Sequence, residues 1–265
     1  MLPAMPSLLD TPYPVTDEQV ARYQRDGFIS ISNILHGPEL ARLRDAVAAA
    51  VADETVPTPR GDAPPGPYEQ IFIQKVNLWR RHETIREFVT CRRFGDLAAR
   101  LSGQPARVWH DQALFKVPRE GAKTPWHQDA HYWPHVEKGD QITIWIALKD
   151  ATTANGCMSF IPGTQTVKTL EPISLADPQN IFDLAPEFKG IKPTTCELTA
   201  GSCTFHNGLT FHYAGPNKSD TMREAFAILY MPDGTHYSGR KHIVTDPLNL
   251  NVNDKLDGEM FPLVV

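Results

Sequence analysis

Gln141-Ile142-Thr143-Ile144-Trp145-Ile146-Ala147-Leu148 alternates without interruption. The four aliphatic residues fall on one face of an extended chain, and Gln141, Thr143, Trp145 and Ala147 on the other. This is the period of two of a strand, and a helix would scatter both sets. Further strand candidates lie downstream at 194–199, 202–206, 209–214 and 223–231, separated by Ala200-Gly201, Asn207-Gly208 and Gly215-Pro216-Asn217. Upstream, the same texture of short strands and turn residues begins at residue 106. Many short strands with turn signals between them indicate a sandwich or jelly roll.

The N-terminal part reads differently. Thr16-x-x-Gln19 forms a capping box for a helix that turns Val20 and Tyr23 inward and stops at Gly27. Phe28–Ile34 reads as a strand. Gly37-Pro38 opens a second helix with Leu40, Leu43, Val47 and Val51 on one stripe. That stripe needs a partner surface, most simply the outside of a sheet. Helical patterns return over 83–102. Two stretches, 55–68 and 170–193, carry several prolines and little periodicity, and read as long loops, either lids that shape substrate choice or plain surface excursions. The expectation is one domain over 1–265: a helical part at about 16–102, a β core at about 106–232 and a tail at 233–265.

Hydrophobic content of 41% and charged content of 22% are ordinary globular values. With a net charge of -5, and with Arg80-Arg81 and Arg92-Arg93 as isolated pairs, nothing resembles a nucleic-acid patch. Cys91, Cys157, Cys196 and Cys203 have no C-x-x-C spacing, which suits free thiols in a reducing compartment. The N-terminus lacks the pattern of a signal peptide, and no apolar run is long enough for a membrane span. A cytoplasmic protein, monomer or homodimer, is expected, with a small-molecule partner and neither nucleic acid nor membrane.

Chemistry concentrates in Thr124-Pro125-Trp126-His127-Gln128-Asp129-Ala130-His131-Tyr132-Trp133. On a strand, His127 and Asp129 would share a face and converge on one ion. With ten His and eighteen Asp in 265 residues, chance alone supplies about 0.7 such pairs, so the motif needs company. The company is His212, in Gly208-Leu209-Thr210-Phe211-His212-Tyr213, and Arg223, eleven residues later. Two His and one carboxylate with the other positions open is the ligand set of non-haem Fe(II) oxygenases. Arg223, Ala225 and Ala227 share a face in a strand reading, which gives a guanidinium room to bind a carboxylate through two parallel bonds.

The chain resembles the phytanoyl-CoA dioxygenase-like branch of the Fe(II)/2-oxoglutarate oxygenases. The resemblance runs from the N-terminal helix to about residue 231. It rests on His127-x-Asp129, on Asn155-Gly156-Cys157-Met158-Ser159-Phe160-Ile161-Pro162-Gly163-Thr164, and on the distal His212 with Arg223. It implies a mainly β fold with flanking helices around a double-stranded β-helix, a cupin-like jelly roll. It further implies that His127, Asp129 and His212 bind Fe(II) and that Arg223 holds the distal carboxylate of 2-oxoglutarate. Gln112 and Trp145 become co-substrate contacts, with Lys116 and Thr143 as weaker candidates sharing their faces. The formal charges of Fe(II), Asp129, 2-oxoglutarate and Arg223 cancel, which suits a buried site. The implied reaction consumes O2 and 2-oxoglutarate, releases succinate and CO2, and hydroxylates a C–H bond of a small or medium organic molecule. Halogenating relatives lack the carboxylate that Asp129 supplies.

Rival readings stand beside these. His131 continues the parity of His127, and His206 competes with His212 as the distal ligand. His110 and His135 read as surface or satisfied polar groups, and Trp126, Tyr132 and Trp133 as pocket walls or core. A Zn(II) cupin-like hydrolase or isomerase, or a non-catalytic binding barrel, are the alternative functions.

Overall fold

Helix α1 (Asp17–Asp26) begins and ends on local chemistry. Thr16 and Gln19 exchange side chain–backbone hydrogen bonds in a complete capping box, and Gly27 closes the helix at φ 81°. Tyr23 turns into the core and Val20 packs beside it. The structure, a computed structural model, describes residues 8–59, 72–119, 123–168 and 180–265. Residues 60–68 of the first loop and 170–179 of the second lie outside these.

Strand β1 (Phe28–Ile31) is shorter than the run 28–34, because Asn33 adopts φ 53° and ends the extended chain. Helix α2 (Gly37–Ala52) follows, then β2 (Phe72–Val76), α3 (Glu83–Val89) and α4 (Arg92–Ser102). The helical pattern of 83–102 is therefore two helices, broken at Thr90-Cys91. Their apolar stripes, including Leu43, Val47, Ile85, Phe88, Leu97 and Leu101, are sealed from solvent. Each such side chain contributes about 1.5–3 kcal/mol by leaving water.

The stripes pack on one face of a six-stranded antiparallel sheet in the order β1-β8-β5-β10-β3-β2. Its members include β3 (Ala106–Lys116), β5 (Ile142–Ala147), β8 (Cys203–Asn207) and β10 (Arg223–Pro232). Ile142, Ile144 and Ile146 face the helices, as the alternation predicts. The opposite face, with Trp145, Ala225, Ala227 and Leu229, turns toward a second antiparallel sheet, β4-β9-β6-β7. That sheet comprises β4 (Thr124–His127), β6 (Met158–Phe160), β7 (Thr194–Cys196) and β9 (His212–Ala214). Two facing antiparallel sheets with helices on one outer face are the expected jelly roll.

Two local irregularities matter for the site. In β3 the register against β10 shifts between Leu229 and Tyr230, so Leu229 opposes His110 and Tyr230 opposes Val108. Trp109 is the extra residue, and this bulge turns both Trp109 and His110 to the inner face. The tail beyond β10 folds back: Phe261 stacks on Trp109 with ring centroids 5.5 Å apart, and Leu263 bridges to Arg107. No helix among the described residues is long and apolar enough to cross a membrane.

Candidate active site

His127 and His212 are direct cross-strand partners in β4 and β9, with ring centroids 4.0 Å apart. Each imidazole is oriented in the same way. His127 Nδ1 lies 2.8 Å from Pro125 O, and His212 Nδ1 lies 3.0 Å from Thr210 O. A carbonyl only accepts, so both Nδ1 atoms carry the proton and both Nε2 lone pairs are left for a ligand. Those Nε2 atoms stand 3.4 and 3.6 Å from one oxygen, Asp129 Oδ1.

Asp129 reaches this point by a route the strand argument does not describe. β4 ends at His127, and Asp129 is in helical conformation at φ -75°, ψ -42°, capping a 3-10 turn over Ala130–Tyr132. The shared-face reading of residues 127 and 129 is thus replaced by a strand end followed by a turn. His131 leaves the site altogether: its Nε2 pairs with Gln128 Oε1 at 2.9 Å. Trp126 lies on the outer face against Tyr213 and Phe182, whereas Tyr132 and Trp133 line the cavity.

The three donors lie within 4.8 Å of one another and form a possible metal-holding group. With bonds of about 2.1 Å, neighbouring ligand atoms of one ion stand about 3 Å apart, so the observed spacing needs only small adjustment. Burial and the adjacent His127 push His212 down to about 3, against the pull of Asp129. Burial opposes ionisation of Asp129, but the His212 imidazole, helped by His127 and His206, outweighs it and holds the carboxyl well below its ordinary range. Two imidazoles turned by backbone carbonyls to present Nε2, with one carboxylate, suit a divalent cation.

His206 is the fourth member of the cluster. It is 1% exposed, its Nε2 lies 3.6 Å from the other carboxylate oxygen, Oδ2, and neither ring nitrogen is hydrogen-bonded. It adjoins the triad on the Oδ2 side of Asp129.

The cluster opens on a cavity of about 280 Å³ between the two sheets, near the lower end for small-molecule sites. Arg223 lies in its wall, 2% exposed, with its guanidinium 5.1 Å from the Trp145 ring and Nη1 donating to Leu114 O at 2.9 Å. Trp145 is therefore a platform under the cation as well as a cavity wall. Gln112 lines the cavity, and its Oε1 accepts from Gln74 Nε2 at 2.6 Å, leaving its amide N–H groups available. Thr143 Oγ1 is buried in the wall without a hydrogen-bond partner. Lys116 is not a wall residue. Its Nζ donates to Ala214 O and Gly215 O at 3.0 and 2.6 Å, pinning the end of β9. Burial, reinforced by Arg223, depresses it to about 7.

Several wall residues escaped the sequence reading. His110 does not behave as a surface group: the bulge at Trp109 turns it into the cavity, and it sits two residues before Gln112 on the same face. That parity was the available signal. His242 and Ile243 come from the tail, where no periodicity marks them.

The phytanoyl-CoA dioxygenase (PhyH) family model matches residues 23–225. A probable alpha-ketoglutarate-dependent hypophosphite dioxygenase of Stutzerimonas stutzeri is 26% identical over 225 residues, covering 80% of this chain and 77% of that one. Among solved structures, the non-heme alpha ketoglutarate dependent carbocyclase SnoK from nogalamycin biosynthesis superposes with TM-score 0.85 at 28% identity, covering 96% of this chain and 100% of the other. The epimerase SnoN, in complex with Fe3+, alpha ketoglutarate and nogalamycin RO, gives TM-score 0.80 at 27% identity over 94% and 98%. With the family model spanning most of its length and the His-Asp-His cluster in the wall of its cavity, the chain belongs to the phytanoyl-CoA dioxygenase family of Fe(II)/2-oxoglutarate-dependent oxygenases.

Proposed function

We propose that the cavity oxidises a C–H bond of a small or medium organic molecule, most simply by hydroxylation, and that His127, Asp129 and His212 hold the iron. The observation that carries this reading is the triad, two buried histidines and a half-buried carboxylate, sharing one cavity with the buried cation Arg223. A Zn(II) hydrolase would need the triad but not a stacked guanidinium facing it.

Bound Fe(II) and 2-oxoglutarate supply the oxidising chemistry, in which O2 is consumed and succinate and CO2 are released. The protein supplies orientation and electrostatics. Pro125 O and Thr210 O fix the tautomers of the two histidines, and Asp129 neutralises part of the metal charge. Arg223, held by Trp145 and Leu114 O before any ligand arrives, binds the distal carboxylate at little ordering cost. Gln112 and Thr143 are assigned as hydrogen-bond donors to the same co-substrate. Lys116 contributes indirectly, by holding the end of β9 near His212. Tyr132 and Trp133 wall the metal from bulk water. The four cysteines are unbridged and buried, which supports a reducing, cytoplasmic setting as part of the same reading.

The test needs no substrate. Anaerobic protein loaded with Fe(II) should gain a visible charge-transfer band on addition of 2-oxoglutarate, and Zn(II) should give none. Admitting O2 should release succinate slowly through uncoupled turnover. Iron-loaded protein with neither band nor succinate would return the site to the Zn(II) reading. Product mass from a substrate library then separates hydroxylation from the ring-forming or epimerising outcomes named for the two structural neighbours.

A further inference from the structure

His110 and His242 face the same cavity from β3 and from the tail, with ring centroids 5.9 Å apart. Their hydrogen bonds assign opposite tautomers. His242 Nδ1 lies 3.2 Å from the backbone N–H of Val244, which only donates, so Nδ1 is the acceptor and the proton is on Nε2. His110 Nδ1 lies 3.3 Å from Asp111 O, which only accepts, so Nδ1 carries the proton and Nε2 offers a lone pair. Neither Nε2 is bonded within the described chain, and neither is among its sealed, unsatisfied atoms. The two rings that line the cavity thus carry one donor and one acceptor that the chain itself does not use.

We propose that this pair is a substrate subsite for an uncharged hydroxyl group, which donates to His110 Nε2 and accepts from His242 Nε2–H. The inference rests on the cavity being the oxygenase substrate site. The chemistry selects against other groups. A carboxylate only accepts and would face the His110 lone pair; an ammonium only donates and would face the His242 N–H; an ether or hydrocarbon leaves one or both unpaired. Leaving buried polar groups unpaired is the strongest basis for rejecting an analogue. Burial, with His242 next in effect, depresses His110 to about 3, and burial depresses His242 to about 4 against the pull of Asp246, so both rings stay neutral at pH 7. Around them, Val76, Trp133, Leu229 and Ile243 offer apolar contact. The substrate class is thus a neutral, hydroxyl-bearing carbon skeleton whose hydroxyl anchors it while another carbon meets the metal.

The test uses 1-naphthol, 1-methoxynaphthalene and 1-naphthoate as probes, titrated calorimetrically into anaerobic protein carrying Fe(II) and 2-oxoglutarate. Naphthol should bind at least tenfold more tightly than either analogue. His242→Phe and His110→Phe should each reduce the preference for naphthol over its methyl ether to threefold or less. His242→Gln, which keeps an N–H donor, should restore part of it. Equal binding of the probes, tighter naphthoate, or no binding of naphthol would overturn the subsite. If the Phe variants do not fold, nitrogen-15 histidine spectra of the wild-type protein decide: His242 must be protonated at Nε2 and His110 at Nδ1, and reversed tautomers would overturn the proposal. The band of the 2-oxoglutarate complex is read on the same samples. Its presence without probe discrimination defeats the subsite alone, and discrimination without the band defeats the oxygenase reading alone.

Discussion

Replacing Arg223 by alanine is the sharpest single perturbation of the co-substrate site. The guanidinium is 2% exposed, rests 5.1 Å from the Trp145 ring and donates to Leu114 O at 2.9 Å. Those contacts orient it in advance, so its removal takes away a preorganised partner and leaves a carboxylate against the apolar wall of Trp145 and Ala227. Truncating one member of such a buried pair costs roughly 2–5 kcal/mol, which is about thirtyfold to a few thousandfold in affinity. Arg223→Lys keeps the charge but not the planar fork, and should lose about tenfold or more, roughly 1.4 kcal/mol. The assay is anaerobic titration of the Fe(II) protein with 2-oxoglutarate, followed through the visible band, with iron content and circular dichroism measured on each variant. Iron should remain, since no ligand atom is touched. An affinity for 2-oxoglutarate within threefold of wild type, in folded and iron-loaded Arg223→Ala, would refute the assignment of this cation to the co-substrate.

Three other expectations follow from the same geometry. Alanine at His127, Asp129 or His212 should abolish stoichiometric Fe(II) in equilibrium dialysis, while His206→Ala and His131→Ala should retain it; the opposite pattern for 212 and 206 would move the distal ligand. Asp111 is fully buried and accepts from the Trp79 N–H at 3.0 Å, and burial raises its carboxyl to about 8. Between its unfolded value near 4 and 8, the native state keeps a proton on Asp111 that the unfolded state sheds, so this group's own contribution to stability falls with rising pH by up to about 1.4 kcal/mol per unit. Asp111→Asn should match wild type near pH 4 and exceed it at pH 8–9 in denaturant midpoint; parallel profiles would disprove the shift. Gly201 sits at φ 84°, and a Cβ there would lie 2.1 Å from Leu35 O. Gly201→Ala should lose at least about 1–2 kcal/mol, and an unchanged melting temperature would contradict the close approach.

The sequence by itself determined what short-range periodicity and local caps can encode. The alternation of 141–148 placed Ile142, Ile144 and Ile146 toward the helices and Thr143 and Trp145 toward the cavity. Thr16, Gln19 and Gly27 marked both ends of α1. The spacing of His127, Asp129, His212 and Arg223, together with the family resemblance, named the groups that the fold gathers around one cavity. Parity propagates along a strand only until the strand ends or bulges, and there tertiary structure took over. β4 stops at His127, so a turn, not a shared face, brings Asp129 to the imidazoles. The bulge at Trp109 turns His110 inward, and Lys116 spends its ammonium on β9 carbonyls rather than on the cavity. His206 joins the cluster because β8 pairs with β5 opposite Thr143, and His242 reaches the cavity because the tail folds back over β3. These are contacts between segments far apart in the chain, whose geometry is set by sheet register and by packing, and neither leaves a periodic trace in the residues themselves.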